Sequence, residues 1–276
     1  MPFSDPMADG GTIQKANSLV LDQDPPVCFN DLLAMITEAR KQGLTIPVVL
    51  MGYYNPLLAF GLEKAGAALM AAGIDGMIIV DLPPEEGGQL LAVCQEFDIS
   101  YVPLIAPTST DERIESLAKV CTSFVYCVSV AGVTGARSAL PDTLPAFLAR
   151  VKAKIDKPIC VGFGISKPEH VKQVGDFGAA GAVVGSAIVA ALDKAGFDST
   201  PEVKAQAVFD LVNSLTAGRM IEHVAMAEGV KGAKVEPLAP RSEFMFGDHG
   251  GQYIPETLVE THNAVRRRTA ACSCLL

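Results

Sequence analysis

Short apolar runs, each followed by a stretch with helical period, recur along most of the chain. They are PVVLMGY from Pro47, GMIIVDL from Gly76, SYVPLIA from Ser100, SFVYCVSV from Ser123, PICVGFGI from Pro158 and AGAVVGS from Ala180. Their starts lie about 22–35 residues apart, and eight βα units in about 250 residues average roughly 31 each. The runs are apolar on both faces, which predicts parallel strands covered on both sides.

Between the runs the period changes to that of a helix. Leu58, Leu62, Ala65, Leu69 and Ala72 follow steps of three and four, as do Leu144, Phe147, Leu148, Val151 and Ile155. Ser109 with Glu112, and Ser166 with Glu169, have the spacing of capping boxes. Val208, Leu211, Val212 and Leu215 predict a last amphipathic helix. Alternating β and α elements imply a parallel sheet, and a (β/α)8 barrel and an open doubly wound sheet share that pattern.

The segment MPFSDPMADGGTIQKAN (1–17) reads as a loop leaving the C-terminal end of a strand. After Thr216 the alternation stops. AGRMIEHVAMAEGVKGAKVEPLAPRSEF mixes Gly, Pro and charge in the manner of a linker, and FGDHGGQYIPETL (246–258) reads as the start of a new domain. The expected organisation is a barrel over 1–217, a linker over 218–243, and a domain start with an unassigned tail over 244–276.

Composition narrows the function classes. The chain is 49% hydrophobic and 19% charged over 276 residues, enough for one large core. Its formal net charge of −9 argues against broad contact with nucleic acid or an anionic membrane. An anionic substrate would need a local device such as backbone amides. The seven cysteines are scattered through apolar runs, and Cys272 with Cys274 lacks metal-ligand spacing, so buried thiols are expected. No signal peptide opens the sequence and no apolar run reaches the length of a membrane span. A cytoplasmic protein is expected.

Three glycine-containing loops follow strand-like runs: Gly132–Ala136, Gly162–Ser166, and Gly185-Ser186 at a helix start. In a barrel such loops lie on the catalytic face, and backbone N–H groups at a helix N-terminus hold phosphate well. Tight turns alone would also account for these glycines. Asp5 and Asp9 stand in a Pro/Gly-rich loop, where a carboxylate can accept a proton or a ligand N–H, or simply organise an Asx turn. Asp81, in VDLPPEE, faces the same choice and reads as a loop organiser. Tyr126 falls within a buried run. Among the four histidines no ligand spacing occurs, and His170 is expected on the surface of a helix's first turn.

PFSDPMADGGTIQKAN, then LMGYYNPLL, VDLPPEE, GVTGA, GFGIS and GSAIV in that order, resembles the tryptophan synthase alpha chain family over Pro2 to about Leu215. FGDHGGQYIPETL is similar to the opening of the family's beta chain, which together suggests the fused fungal type. The resemblance implies a (β/α)8 TIM barrel lacking its first strand, first helix and second strand. It implies a lyase that cleaves indole-3-glycerol phosphate to indole and glyceraldehyde 3-phosphate without a cofactor, pyridoxal phosphate belonging to the absent beta domain. By motif, Asp9 would bond the indole nitrogen and Thr134 would lie on the loop that closes over the substrate. Tyr126 would line the pocket, and Gly135, Phe163, Gly164, Gly185 and Ser186 would hold phosphate. Asp5, Tyr54, Asn55 and Pro56 would face the beta domain or subunit. The family's catalytic glutamate precedes PFSDP, so the resemblance implies impaired turnover by these residues alone. A non-catalytic phosphate-binding or beta-docking fragment is the alternative from another class, and release of indole separates the two. Another phosphate-handling barrel enzyme is a third reading, disfavoured by the joint presence of PFSDPMADG and GVTGA.

Overall fold

The computed structural model describes residues 1–129, 139–162 and 164–216. The chain begins with helices α1 (Gly11–Leu21) and α2 (Phe29–Lys41). Strand β1 (Val49–Gly52) follows, then α3 (Tyr54–Phe60), α4 (Leu62–Ala72), β2 (Gly76–Ile79) and α5 (Gly88–Glu96). The middle holds β3 (Ser100–Tyr101), β4 (Leu104–Ile105), α6 (Asp111–Val120), β5 (Val125–Val128) and α7 (Leu144–Lys152). It closes with β6 (Ile159–Gly162), α8 (Pro168–Asp176), β7 (Gly181–Ala182), α9 (Ser186–Ala195) and α10 (Pro201–Leu215).

All strand pairs are parallel, in the ladders β1-β2-β3 and β4-β5-β6-β7. The run SYVPLIA spans β3 and β4. Pro103 has no N–H and interrupts the regular ladder there. The backbone nevertheless stays bonded on both sides. Val102 N–H donates to Met77 O at 2.9 Å and Tyr126 N–H donates to Pro103 O at 2.9 Å. Six strand positions therefore form one parallel sheet, at the six places where the apolar runs predict them.

Alternation along the strands sorts the core into two layers. Outward residues such as Leu50, Met77 and Ile79 pack against α2 and α4 in one cluster. Val125, Val161 and Val184 pack with α7, α8 and α10 in another. Inward residues, among them Ile78, Val102, Phe124 and Tyr126, form a third cluster joined by Met51 and Val183 from the two ends of the sheet. A cluster joining β1 to β7 on one face is what a sheet curled into a barrel wall produces.

At the rim where strands begin, Arg40 of α2 acts as a clamp. Its guanidinium donates to Gly73 O, Leu44 O and Ile46 O and to Asp75 Oδ2 at 2.7 Å. Asp75 also accepts from Val48 N–H at 2.8 Å. The ends of two helices and the starts of β1 and β2 are thus tied through one ion pair.

Several local expectations are corrected. Gly61, at φ 92°, divides the stretch from Leu58 to Ala72 into α3 and α4, which leaves Leu58 47% exposed. A left-handed-side φ is cheap only for glycine, so the break sits there. Thr110, not Ser109, caps α6 by accepting from Arg113 N–H, while Ser109 Oγ accepts from Ala106 N–H. Lys167 stands at the N-cap of α8, and His170 is buried at 3% exposure. The segment 1–17 is irregular only to Gly10, where α1 begins. Cys28 is exposed and caps α2, with its N–H donating to Asp31 Oδ2. Cys94, Cys121 and Cys127 are buried as expected, and burial pushes the thiols of Cys94, Cys127 and Cys160 up to about 12. Cys272 and Cys274, with the expected linker (218–243) and domain start (244–276), lie outside the described residues.

Candidate active site

Parallel strands all end at one rim, so the segments after β1, β2, β6 and β7 share it. After β1, Tyr53 turns into the core side and is buried. Its hydroxyl donates to Asp9 Oδ2 at 2.9 Å and accepts from Ala8 N–H at 2.9 Å. The Phe3 ring packs on Tyr53 with centroids 5.2 Å apart. Asn17 of α1 secures the same segment, its side chain bonding Phe3 N–H and Phe3 O. Turn bonds from Met7 N–H to Asp5 O and from Asp9 N–H to Pro6 O complete the loop. Asp9 is thus held by Tyr53 and by its own turn at the rim where the strands end.

Electrostatics at Asp9 follow from this seat. Burial raises its carboxyl above the ordinary aspartate value, while the Tyr53 hydrogen bond and then the chain's amino terminus pull it back. Tyr53 is raised in turn by burial, by donating to Asp9 and by the Asp9 charge. A carboxylate offers about four lone-pair sites, so the single Tyr53 bond leaves capacity for a ligand N–H. Half-burial strengthens such a bond relative to water.

After β6, Gly164 adopts φ 82°, a conformation an L side chain resists, and Ile165 anchors in the core at 2% exposure. Gly162, at the strand end, has its open side filled by the Tyr126 ring and hydroxyl, so any Cβ there would collide with tyrosine. After β7, Gly185 caps α9 and Ser186 is its first residue. A Cβ on Gly185 would meet nothing within 4 Å, so space opens over the helix N-terminus. The first N–H groups of a helix lack intrahelical acceptors and carry its positive end, which suits an oxyanion.

Asp81, after β2, accepts from Tyr54 N–H at 2.8 Å and so organises the start of α3, as its sequence context suggests. Tyr54 and Pro56 are half-buried and Asn55 is exposed on α3, next to exposed Leu58. Asp5 is exposed and accepts from its neighbour Ser4 Oγ at 2.6 Å. Tyr126 projects into the inner layer, where burial pushes its hydroxyl pKa up. Thr134, Gly135 and Phe163 lie outside the described residues. Among the described residues no group of three or more His, Cys, Asp or Glu could hold a metal ion, and no helix is long and apolar enough to cross a membrane. Sequence reasoning missed Tyr53. Its signal was present in LMGYYNPLL, where the tyrosine following the strand is the first side chain of the rim.

Residues 1–218 match the sequence profile of the tryptophan synthase alpha chain. The chain belongs to the tryptophan synthase alpha chain family. It is 46% identical to the alpha chain of Roseiflexus castenholzii over 194 residues, covering 70% of this chain and 73% of that one. It is 40% identical to the tryptophan synthase of Saccharomyces cerevisiae over 269 residues, 94% of this chain but 38% of the yeast protein's length. The tryptophan synthase complex of Pyrococcus furiosus contains a chain of the same fold, at 34% identity and a TM-score of 0.69, covering 78% and 83% of the two chains. A protein from Aquifex aeolicus VF5 is similar at 39% identity and a TM-score of 0.69, covering 79% of each. Family membership makes the sheet a TIM-barrel wall.

Proposed function

We propose that the chain forms the lyase part of a tryptophan synthase, cleaving indole-3-glycerol phosphate to indole and glyceraldehyde 3-phosphate in cytoplasmic tryptophan biosynthesis. The observation that carries this is Asp9, half-buried on the strand-end rim and gripped by Tyr53, within a chain of the alpha family. In the cleavage, C3 of the indole takes a proton and its bond to the neighbouring glyceryl carbon breaks. The hydroxyl on that carbon loses its proton, and the electron pair forms the new aldehyde. Positive charge develops on the indole nitrogen meanwhile, and Asp9 would accept its N–H and stabilise that charge. Gly164, Gly185 and Ser186 would hold the phosphate by backbone amides, with Gly135 and Phe163 joining by family resemblance. Thr134 would close the site, and Tyr126 would bound the pocket from within the barrel.

The acid that protonates C3 is, by resemblance, a glutamate on a strand preceding PFSDP, outside the six strand positions described. The lyase step as proposed uses no cofactor. Pyridoxal phosphate would serve the beta domain, whose opening the 246–258 segment resembles. The rim of α3 (Tyr54, Asn55 and Pro56) together with Asp5 would meet that beta domain. In support, the Pyrococcus furiosus relative belongs to an α2β2 complex with mutual activation, and the yeast relative aligns over 94% of this chain.

The test is indole release from indole-3-glycerol phosphate by this chain and by a form extended at its N-terminus with the family's upstream strand segment. Release by the extended form, falling about 100-fold or more in Asp9→Asn, is expected for a positioned acid–base or charge-stabilising group. Near-normal turnover of Asp9→Asn would remove Asp9 from its role.

A further inference from the structure

His170 is buried at 3% exposure, and no expectation drawn from the sequence gives it work. A buried imidazole is costly unless its polar atoms are bonded. Its Nδ1 accepts from Ser166 N–H at 3.4 Å. His170 is the third residue of α8, whose N-cap Lys167 makes no side-chain capping bond. In a capping box the third residue reaches back to the N-cap N–H. Here the reach extends one residue further, into the loop that leaves β6.

That loop is pinned at three successive residues by three different devices. Gly164 fixes its backbone at positive φ, Ile165 is sunk in the core, and Ser166 is tied to His170. Of these three, only the last is a hydrogen bond to a side chain outside the loop. We propose that His170 is a positioning residue for the phosphate-binding loop, holding the 164–166 backbone at the pitch that presents its amides to a phosphoryl group. This rests on the phosphate role given to that loop above. His170 touches no substrate; it acts through Ser166.

Two probes separate positioning from general stability, both applied to the full 276-residue chain by calorimetry. Glycerol 3-phosphate carries the phosphoryl group without the ring, and indole carries the ring without the phosphoryl group. His170→Leu should weaken glycerol 3-phosphate binding about tenfold, equivalent to about 1.4 kcal/mol, and leave indole affinity within about twofold. His170→Gln keeps an acceptor of similar reach and should restore glycerol 3-phosphate binding. Circular dichroism melts of both variants guard against misfolding, and His170→Ala takes the place of the leucine form in both comparisons should that form not fold. Equal loss for both probes, or a glutamine form that folds as the parent does but binds glycerol 3-phosphate as poorly as the leucine form, would overturn the role of His170 alone. Failure of the unmodified chain to bind glycerol 3-phosphate while binding indole would overturn the phosphate site and this inference together.

Discussion

At the scale of single residues, Asp9 and Tyr53 work against each other's titration. Burial favours the neutral carboxyl of Asp9, and the Tyr53 hydroxyl favours the charged form. Removing the hydroxyl in Tyr53→Phe should therefore move the Asp9 pKa further up. It should also leave Ala8 N–H without its tyrosine acceptor. A carbon-detected NMR titration of the Asp9 carboxyl reads the shift directly; an unchanged or lowered pKa would mean the hydroxyl is not what holds the charge. The same burial has a consequence for stability. Because the folded pKa lies above the ordinary aspartate value, the folded state holds this proton more tightly than the unfolded chain. Its contribution is full below the unfolded pKa and is lost as pH rises through the folded one. Asp9→Asn should consequently unfold at the same or a slightly higher urea concentration at neutral pH. Holding a charge on Asp9 at neutral pH thus costs the fold stability.

At the scale of elements, the strands were legible because parallel strands covered on both faces are continuous apolar runs, and six such runs became six strand positions. Helices were harder to bound. Leu58 and Leu62 keep a helical step across Gly61, so periodicity alone joined α3 to α4. The backbone conformation of one glycine decided otherwise. Helix α2 carries a capping box built on Cys28 rather than on serine or threonine, which hid its start. His170 was read as exposed because histidine usually is. Its burial follows from the packing of α8 against the sheet, which no local pattern records. In the candidate site, the sequence singled out Asp9 from its Pro/Gly-rich loop, whereas its Tyr53 partner required knowing that β1 ends beneath that loop. The break at Gly61 can be tested by itself. At φ 92° alanine is strained by about 1–3 kcal/mol, and no steric collision adds to this, since the nearest atom to a Cβ there lies 3.9 Å away. Gly61→Ala should lower the unfolding free energy by that much, read as a lower urea midpoint at unchanged slope. An unaltered midpoint would mean that α3 and α4 can rejoin into one helix without cost.

At the scale of the whole molecule, β1 and β7 stand at the two ends of the described sheet, and the first 21 residues reach from one towards the other. The Met1 ammonium donates to Met51 O of β1 at 2.7 Å, and its side chain lies over Gly52. At the far end of this segment α1 packs on α9, where Lys15 pairs with Asp193 at 2.9 Å. The bridge is thin. Not one residue of α1 is buried, and the Lys15 and Asp193 side chains are 62% and 53% exposed. An exposed pair of this kind contributes about 0–1 kcal/mol and weakens with salt. The strands between are anchored differently, with Met77 and Val125 at 0% exposure. Local opening free energies run from near zero up to the global value according to such burial. Amide exchange should therefore divide the molecule: residues 11–21 should exchange through local opening, faster at higher ionic strength, while 76–79 and 125–128 exchange only near global unfolding. Equal protection of both sets would show that α1 is locked into the barrel. If α1 opens first, Asp9, two residues before it, loses the Asn17 bonds that steady its loop. A ligand bridging the Asp9 loop and the N-terminus of α9 would then slow exchange in α1 most, because it would tie together two elements otherwise joined through an exposed contact.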